Sequence, residues 1–272
     1  MKRILITGAG SYIGTCVERY LNKWPEQYRV ETLDMQDENW RSADFSGYDS
    51  IFHVAGIAHI RETEENAHLY YQVNRDLAIE TARKAREAGV SQFVLLSSMS
   101  VYGIDQGPVD PLTAPAPKSH YGRSKFQAEE GITPLRGENF AVAVLRPPMV
   151  YGENCKGNYR QLEKIAKIAP FFPDYENIRS MVSMDNLAAF VKEVLDTRAD
   201  GLFCPQDPEY VCTCRMIRSI AAEKGKKLRL IKALNPAVRL AKRFTGAGRK
   251  AFSDLYYTKN TLEGNEAGNR EA

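Results

Sequence analysis

The sequence predicts an α/β fold, a doubly wound parallel sheet carrying a smaller, mostly helical lobe at its C-terminal side. Three observations predict it. Short runs rich in β-branched residues recur through the first half, stretches of helical period separate them, and a glycine cluster joins the first run to the first helix. The expected strands are 3–6, 29–33, 51–55, 93–96 and 141–145. Between the third and fourth, residues 74–88 put Leu77, Ala78, Thr81, Ala82 and Ala85 on one stripe, and Gly89 ends the helix. Strands alternating with helices mean right-handed crossovers, hence a parallel sheet. After Tyr151 the pattern weakens into short helices at 158–168, 185–195 and 213–224 with brief strands between them. The expected division is therefore a sheet domain over 1–155 and a smaller lobe over 156–272. The polar, glycine-bearing tail 264–272 is expected to fray.

Composition narrows the class. At 272 residues, 43% hydrophobic and 26% charged, the chain can bury a substantial core and is neither fibrous nor broadly disordered. No run of about 18 apolar residues appears, and the opening strand meets a glycine loop within ten residues, so a cytoplasmic protein is expected. The five cysteines are odd in number, and the close pair, Cys212 and Cys214, has Cys-x-Cys spacing. Reduced thiols are expected, and no metal site. From residue 211 onward there are fourteen Lys and Arg against five Asp and Glu, a charge of +9 that leaves −6 for residues 1–210. The segment 228–250 alternates basic residues with Leu230, Ile231, Leu234, Val238, Leu240 and Phe244, with Pro236 in a helix's first turn. It reads first as a surface helix packed on its own domain, with peripheral membrane contact as the lesser alternative. Nucleic acid is disfavoured, because aromatic and basic residues do not interleave.

The glycine cluster is Gly8-Ala9-Gly10-Ser11-Tyr12-Ile13-Gly14, between the first strand and a helix over 15–23. Glycines allow a tight turn and bring main-chain N–H groups up to a pyrophosphate, which then rests on the positive end of the helix. Asp34 closes the second strand twenty positions after Gly14. A carboxylate there accepts bonds from ribose hydroxyls and repels a 2′-phosphate. These residues predict a Rossmann-type site for NAD rather than NADP.

A second group of residues carries chemistry. The fourth strand ends in Ser97-Ser98, at the carboxyl end of the sheet where ligands bind. Tyr121 and Lys125 stand four apart on a helix, hence on one face. An ammonium beside a phenol favours the phenolate, so the pair is expected to bring Tyr121 toward neutrality as a general acid and base.

At these residues the chain resembles the NAD-dependent epimerase/dehydratase family, the extended short-chain dehydrogenases, and in particular the UDP-glucose 4-epimerase-like proteins of bacterial polysaccharide clusters. The resemblance runs from Met1 to about Tyr257. It rests on the glycine loop, on Phe52-His53-Val54-Ala55-Gly56, on Asn74, on Ser98, Tyr121 and Lys125, on Leu145 to Gly152, and on Arg179 before Val182 to Leu187. It implies that Tyr121 is the base, that Ser98 is its partner on a substrate hydroxyl, and that Lys125 holds the nicotinamide ribose. It also implies that Asp44 and Phe45 meet the adenine, that Val54, Ala55 and Gly56 line the cofactor through their backbone, with Asn74 beside them, and that Pro148 and Val150 border the nicotinamide end. On the substrate side it implies Asn158 and Arg179 at the nucleotide diphosphate; His59, in the loop after the third strand, is a further candidate contact. The implied partner is a UDP-sugar, and a homodimer is admitted. Two departures stand out: Ser11 occupies the loop's usual central glycine position, and the second lobe is short. The implied reaction is 4-epimerisation of UDP-glucose, UDP-galactose or their N-acetyl forms through a 4-keto sugar. A 4-keto-sugar reductase is the alternative, and a non-catalytic NAD-sensing protein a weaker one.

Overall fold

The computed structural model describes residues 1–58, 60–155 and 157–259. In chain order they form β1 (Lys2–Thr7), α1 (Tyr12–Leu21), β2 (Tyr28–Leu33), β3 (Ser50–His53), α2 (Ala67–Tyr70), α3 (Leu77–Glu87), β4 (Gln92–Leu96), β5 (Gly107–Val109), α4 (His120–Ile132), β6 (Ala141–Leu145) and β7 (Met149–Tyr151). Then follow α5 (Asn158–Ile168), β8 (Phe171–Pro173), β9 (Met181–Ser183), α6 (Met184–Asp196), β10 (Gly201–Phe203), α7 (Thr213–Glu223), β11 (Arg229–Ile231), α8 (Asn235–Phe244), α9 (Gly246–Phe252) and β12 (Leu255–Tyr257). The tail 264–272 lies outside the described residues.

All five expected strands form, and they join β10 in a six-stranded sheet ordered β10-β6-β4-β3-β1-β2, parallel at every pairing. The chain leaves β1 to one side for β2 and returns on the other side for β3. That reversal opens a crevice at the carboxyl ends of β1 and β3, the switch point where such sheets bind ligands. Each face of the sheet is covered. On one, Val17 and Leu21 of α1 pack with Leu187, Val191 and Leu195 of α6 over Ile4, Ile6 and Phe52. On the other, Ala78, Ala82 and Ala85 of α3 pack with Ala128 and Ile132 of α4 over Ile51, Phe93 and Leu95. Side chains on both faces explain why these strands read as unbroken apolar runs rather than as alternation.

The expected break at residue 155 is not a boundary in space. Helix α6 and strand β10, both placed by the sequence reading in the second lobe, return to the sheet, because Leu187, Val191, Val194 and Phe203 bury only against the first core. The core of the remaining lobe lies between α5 and α7, around Tyr159, Ala166, Ile217 and Ile220, and α8 and α9 follow it in the chain. The lobe also contains two-stranded parallel pairs, β11 with β8 and β7 with β9, the brief strands expected between its helices. The helix expected over 74–88 also differs at its start. A π-helical stretch, Tyr71–Asp76, precedes α3. Its wider turn points the fully buried Asn74 inward while leaving the alanine stripe of α3 on the sheet.

One buried ion pair ties these layers together. Glu129 of α4 accepts from Arg146 Nε at 3.1 Å, and both side chains are almost wholly buried. The network continues through Ser97, whose hydroxyl donates to Glu129, and through Tyr102, whose hydroxyl accepts from Arg146 Nη1 at 3.0 Å. Tyr257 of β12 donates to the Arg146 carbonyl at 2.8 Å and so joins the last described strand to the core. Removing one partner of such a pair leaves a charge buried without compensation. Glu129→Ala is therefore expected to lower the unfolding free energy by about 3 to 5 kcal/mol, measured by urea denaturation. A loss below about 1 kcal/mol would mean that the pair does not hold α4 in place.

Candidate active site

The glycine loop lies at the switch point, and its geometry fits a dinucleotide. Gly8 and Gly10 have positive φ, 108° and 73°, which only glycine adopts without strain. A side chain on Gly8 would come within 2.8 Å of the Ala55 backbone nitrogen, so this close approach of the two loops requires glycine. Ser11 proves to be the N-cap of α1, its Oγ accepting from Gly14 N at 3.2 Å. The replacement of the usual glycine therefore has a local structural use. Gly8 N and Ala9 N donate to the Leu33 carbonyl, fastening the loop to the end of β2. The N–H groups of Tyr12 and Ile13 then head the helix with no chain acceptor among the described residues. Unpaired donors at a helix start suit a pyrophosphate.

Asp34 follows β2 directly and is exposed, one carboxylate oxygen accepting from Gln36 N at 2.9 Å. Asp44 closes its own turn instead, accepting from Ser46 N at 2.8 Å and Ser46 Oγ at 3.0 Å, bonds that hold it below the usual carboxylate range. Phe45 is buried in the core, so only its main chain is available to a ligand. The N–H groups of Val54 and Ala55 both donate to the Thr7 carbonyl at 3.0 Å and so are already engaged. Pro148 is buried and Val150 half-buried, just beyond the carboxyl end of β6.

Ser98, Tyr121 and Lys125 converge from two elements. Ser98 sits immediately after β4 in extended backbone, and its Oγ accepts from Ser100 N at 3.1 Å. Tyr121 lies in the first turn of α4, and the Ser98 side chain is near enough to its phenol to act on it electrostatically. One turn further on, Lys125 is nearly fully buried and donates from Nζ to the Leu96 carbonyl at 2.9 Å. A side chain on Gly56 would fall 3.2 Å from Lys125 Nζ and 2.8 Å from Asn74 Oδ1, so this glycine keeps the floor of the site open. Asn74 fixes the neighbouring loop, accepting from Ile57 N at 2.8 Å and donating to Ile57 O and Ser124 Oγ.

The expected electrostatics need correction. The Tyr121 phenol stands above the usual tyrosine value, because burial disfavours the phenolate; the nearby Ser98 side chain opposes this and Tyr70 adds to it. Lys125 does not lower it here, since its Nζ is turned to the Leu96 carbonyl. Burial instead brings Lys125 itself down to about 8, against the pull of Glu129. Desolvation outweighs the attraction that the four-residue spacing suggested.

Two contributors carried no sequence signal. Glu62 accepts from the backbone N–H groups of His120 and Tyr121, each at 3.1 Å, and Ser119 caps Gly122 N, so the head of α4 is held from a distant loop. Tyr70, buried, sets its ring edge-on to Tyr121 at 6.5 Å and donates to Ile60 O. The serine cap could have been read from Ser119 preceding a helical run, whereas nothing local marks Glu62. Of the expected substrate contacts, His59 lies outside the described residues and Asn158 opens α5. Arg179 is partly buried beside β12, with Nη1 donating to the carbonyls of Lys250 and Ser253. Its carbonyl and N–H pair with Val211.

Residues 4–172 match the profile of the NAD dependent epimerase/dehydratase family, well over half of the chain. The chain belongs to that family. Members are enzymes that use NAD, and the glycine loop, the free N–H groups of α1 and Asp34 supply a fitting site. Among relatives, a UDP-glucose 4-epimerase of Vibrio cholerae is 29% identical over 83% of this chain and 76% of its own length. An N-acetyl-α-D-glucosaminyl-diphospho-undecaprenol 4-epimerase of Escherichia coli O157:H7 is 27% identical over 73% of this chain and 64% of its own. Among solved structures, a dTDP-4-dehydrorhamnose reductase of Clostridium acetobutylicum superposes with TM-score 0.75 at 19% identity, covering 96% of this chain and 91% of its own. A UDP-glucuronic acid 4-epimerase of Bacillus cereus, solved with NAD, gives 0.74 at 17%, covering 97% and 89%. Epimerases and reductases share the fold.

The depressed Lys125 has a consequence for stability. Between about pH 8 and 10.5 the folded ammonium gives up its proton while an unfolded lysine keeps it, so the unfolded state binds more protons and stability rises with pH. Across that window wild type should gain on Lys125→Met by up to about 3 kcal/mol, read from denaturation curves at several pH values. A gap that does not change with pH would show that Lys125 is not desolvated.

Proposed function

We propose that this protein is a cytoplasmic sugar-nucleotide 4-epimerase, interconverting UDP-sugars of the glucose/galactose type or their N-acetyl forms for polysaccharide assembly. The observation that carries the reading is the convergence of Ser98, just beyond β4, and Tyr121, in the first turn of α4, one helical turn from the buried Lys125. The relatives named above support the reaction class. NAD, when bound, accepts and returns a hydride at the sugar's C4.

The chain's own part is positional and acid–base. Tyr121 takes the proton of the C4 hydroxyl as that oxygen becomes a carbonyl, and gives it back once the 4-keto sugar has turned in the pocket. Ser98 bonds the same oxygen and keeps it aligned with the phenol. The raised value of Tyr121 suits it to hold that proton while the 4-keto sugar turns, before it is returned. Lys125 exchanges its bond to Leu96 for one toward the nicotinamide ribose and thereby adds a positive charge near the phenol. Arg179, whose Nη1 is engaged, offers Nη2 and Nε to the diphosphate, a geometry guanidinium suits.

Tyr121→Phe should fold and bind dinucleotide as wild type does, yet lose at least about 100-fold in turnover, because only the transferable proton is gone. Chromatography of each UDP-sugar after incubation with purified protein tests the reaction. An epimerase converts it without added cofactor, whereas net oxidation of added NADH by a 4-keto sugar, without any interconversion, would replace this reading with the reductase. In the same preparations NAD should bind more tightly than NADP, because Asp34 would face the extra phosphate. Equal dissociation constants would mean that Asp34 does not meet the ribose.

A further inference from the structure

Helix α8 leaves one face uncovered. Val238 is buried, while Leu240 and Phe244, one turn apart on the opposite side, are 61% and 69% exposed. Pro236 and Ala237 continue this stripe and are exposed too. Arg239 and Arg243, each one residue before the exposed Leu240 and Phe244, line its flank in solvent. Neither makes an ion pair among the described residues, and Arg243 lies 5.6 Å from the Phe244 ring. Lys242 is different, turning inward to the Tyr175 hydroxyl. Between Glu223 and Asp254 the chain carries ten Lys and Arg and no carboxylate. The nearest acids, Asp174 and Glu176, line a groove with Lys232 and Arg239, and Glu176 is already paired with Arg215.

Two large apolar side chains on one stripe, bordered by unpaired guanidinium groups, complement a surface that is apolar below and anionic above. A second copy of this face would bring like charges together, and a polynucleotide would leave Leu240 uncovered. We propose that α8 docks on the surface of an anionic phospholipid bilayer, with Leu240 and Phe244 entering the acyl boundary and Arg239, Arg243 and the exposed Lys250 of α9 meeting lipid phosphates. The contact is peripheral and reversible, since α8 is a ten-residue helix lying in the interface. Among the described residues no helix is long and apolar enough to cross a membrane. Because the Lys250 carbonyl also holds Arg179, the docked face adjoins the proposed diphosphate contact. The docking itself rests on α8 alone and not on the reaction assigned above.

The test is sedimentation of the full chain with vesicles of phosphatidylcholine alone or with about 30% phosphatidylglycerol. Binding is expected only to the anionic vesicles, weakening as salt rises from about 50 to about 300 mM. Arg239→Gln with Arg243→Gln should reduce partitioning roughly fivefold per residue removed, and Leu240→Ser with Phe244→Ser at least about tenfold, with circular dichroism and UDP-sugar turnover unchanged. Three results would overturn the proposal. They are no binding to anionic vesicles, undiminished binding by the serine variant, or a fall in oligomer mass on the serine substitutions with vesicle binding intact.

Discussion

The candidate site is held in place by a polar stripe along α4. Tyr121, Lys125 and Glu129 are spaced four apart, so all three face the sheet, and the last is fixed in a buried pair with Arg146. Glu129 and Arg146 set where α4 lies along β4 and β6, and Ser97 adds a third bond at the strand that carries Ser98. Because Lys125 and Tyr121 follow in successive turns, the depth of the ammonium and the reach of the phenol depend on that anchor. A buried pair of this kind is weak evidence for net stability, but it allows few alternative registers.

The same stripe explains the site's electrostatics. A lysine carried into the interior by its helix loses hydration, and its ammonium is partly compensated by a single carbonyl, Leu96, and by the field of Glu129. The phenol next to it is raised for the same reason. The raised phenol keeps its proton until additional positive charge arrives, while Lys125, though depressed, remains largely an ammonium at neutral pH. The loop from the other side of the crevice takes part as well. Glu62 places a carboxylate on the positive end of α4, where the helix dipole favours it, and so connects that loop to the backbone of Tyr121 itself.

Much of this was legible in residue order. The five core strands, the glycine turn, the helices α5, α6 and α7 and the first-turn proline of α8 were read nearly to the residue, because apolar period, glycine and proline act over a few neighbours. The lobe boundary was not legible. Residues 184–203 look like any other short helix and strand, and only the presence of an uncovered sheet face and an open edge beside β6 draws them back. The π-helical turn at Asn74 was hidden for a similar reason, since it exists to satisfy a buried amide against Ile57 and Ser124.

By itself the sequence determined the α/β class, the phosphate-type loop with its acidic partner at Asp34, and the presence of a serine, a tyrosine and a lysine suited to acid–base work, because these follow from local spacing. Only the tertiary structure decided which groups touch. It turned Lys125 to Leu96, raised the Tyr121 phenol, folded Asp44 onto Ser46, buried the Phe45 ring and left Leu240 and Phe244 facing outward. Burial and hydrogen-bond partners are properties of distant segments brought together. Chain spacing can bring candidate groups within reach of one another, but desolvation and competition for partners determine their final state.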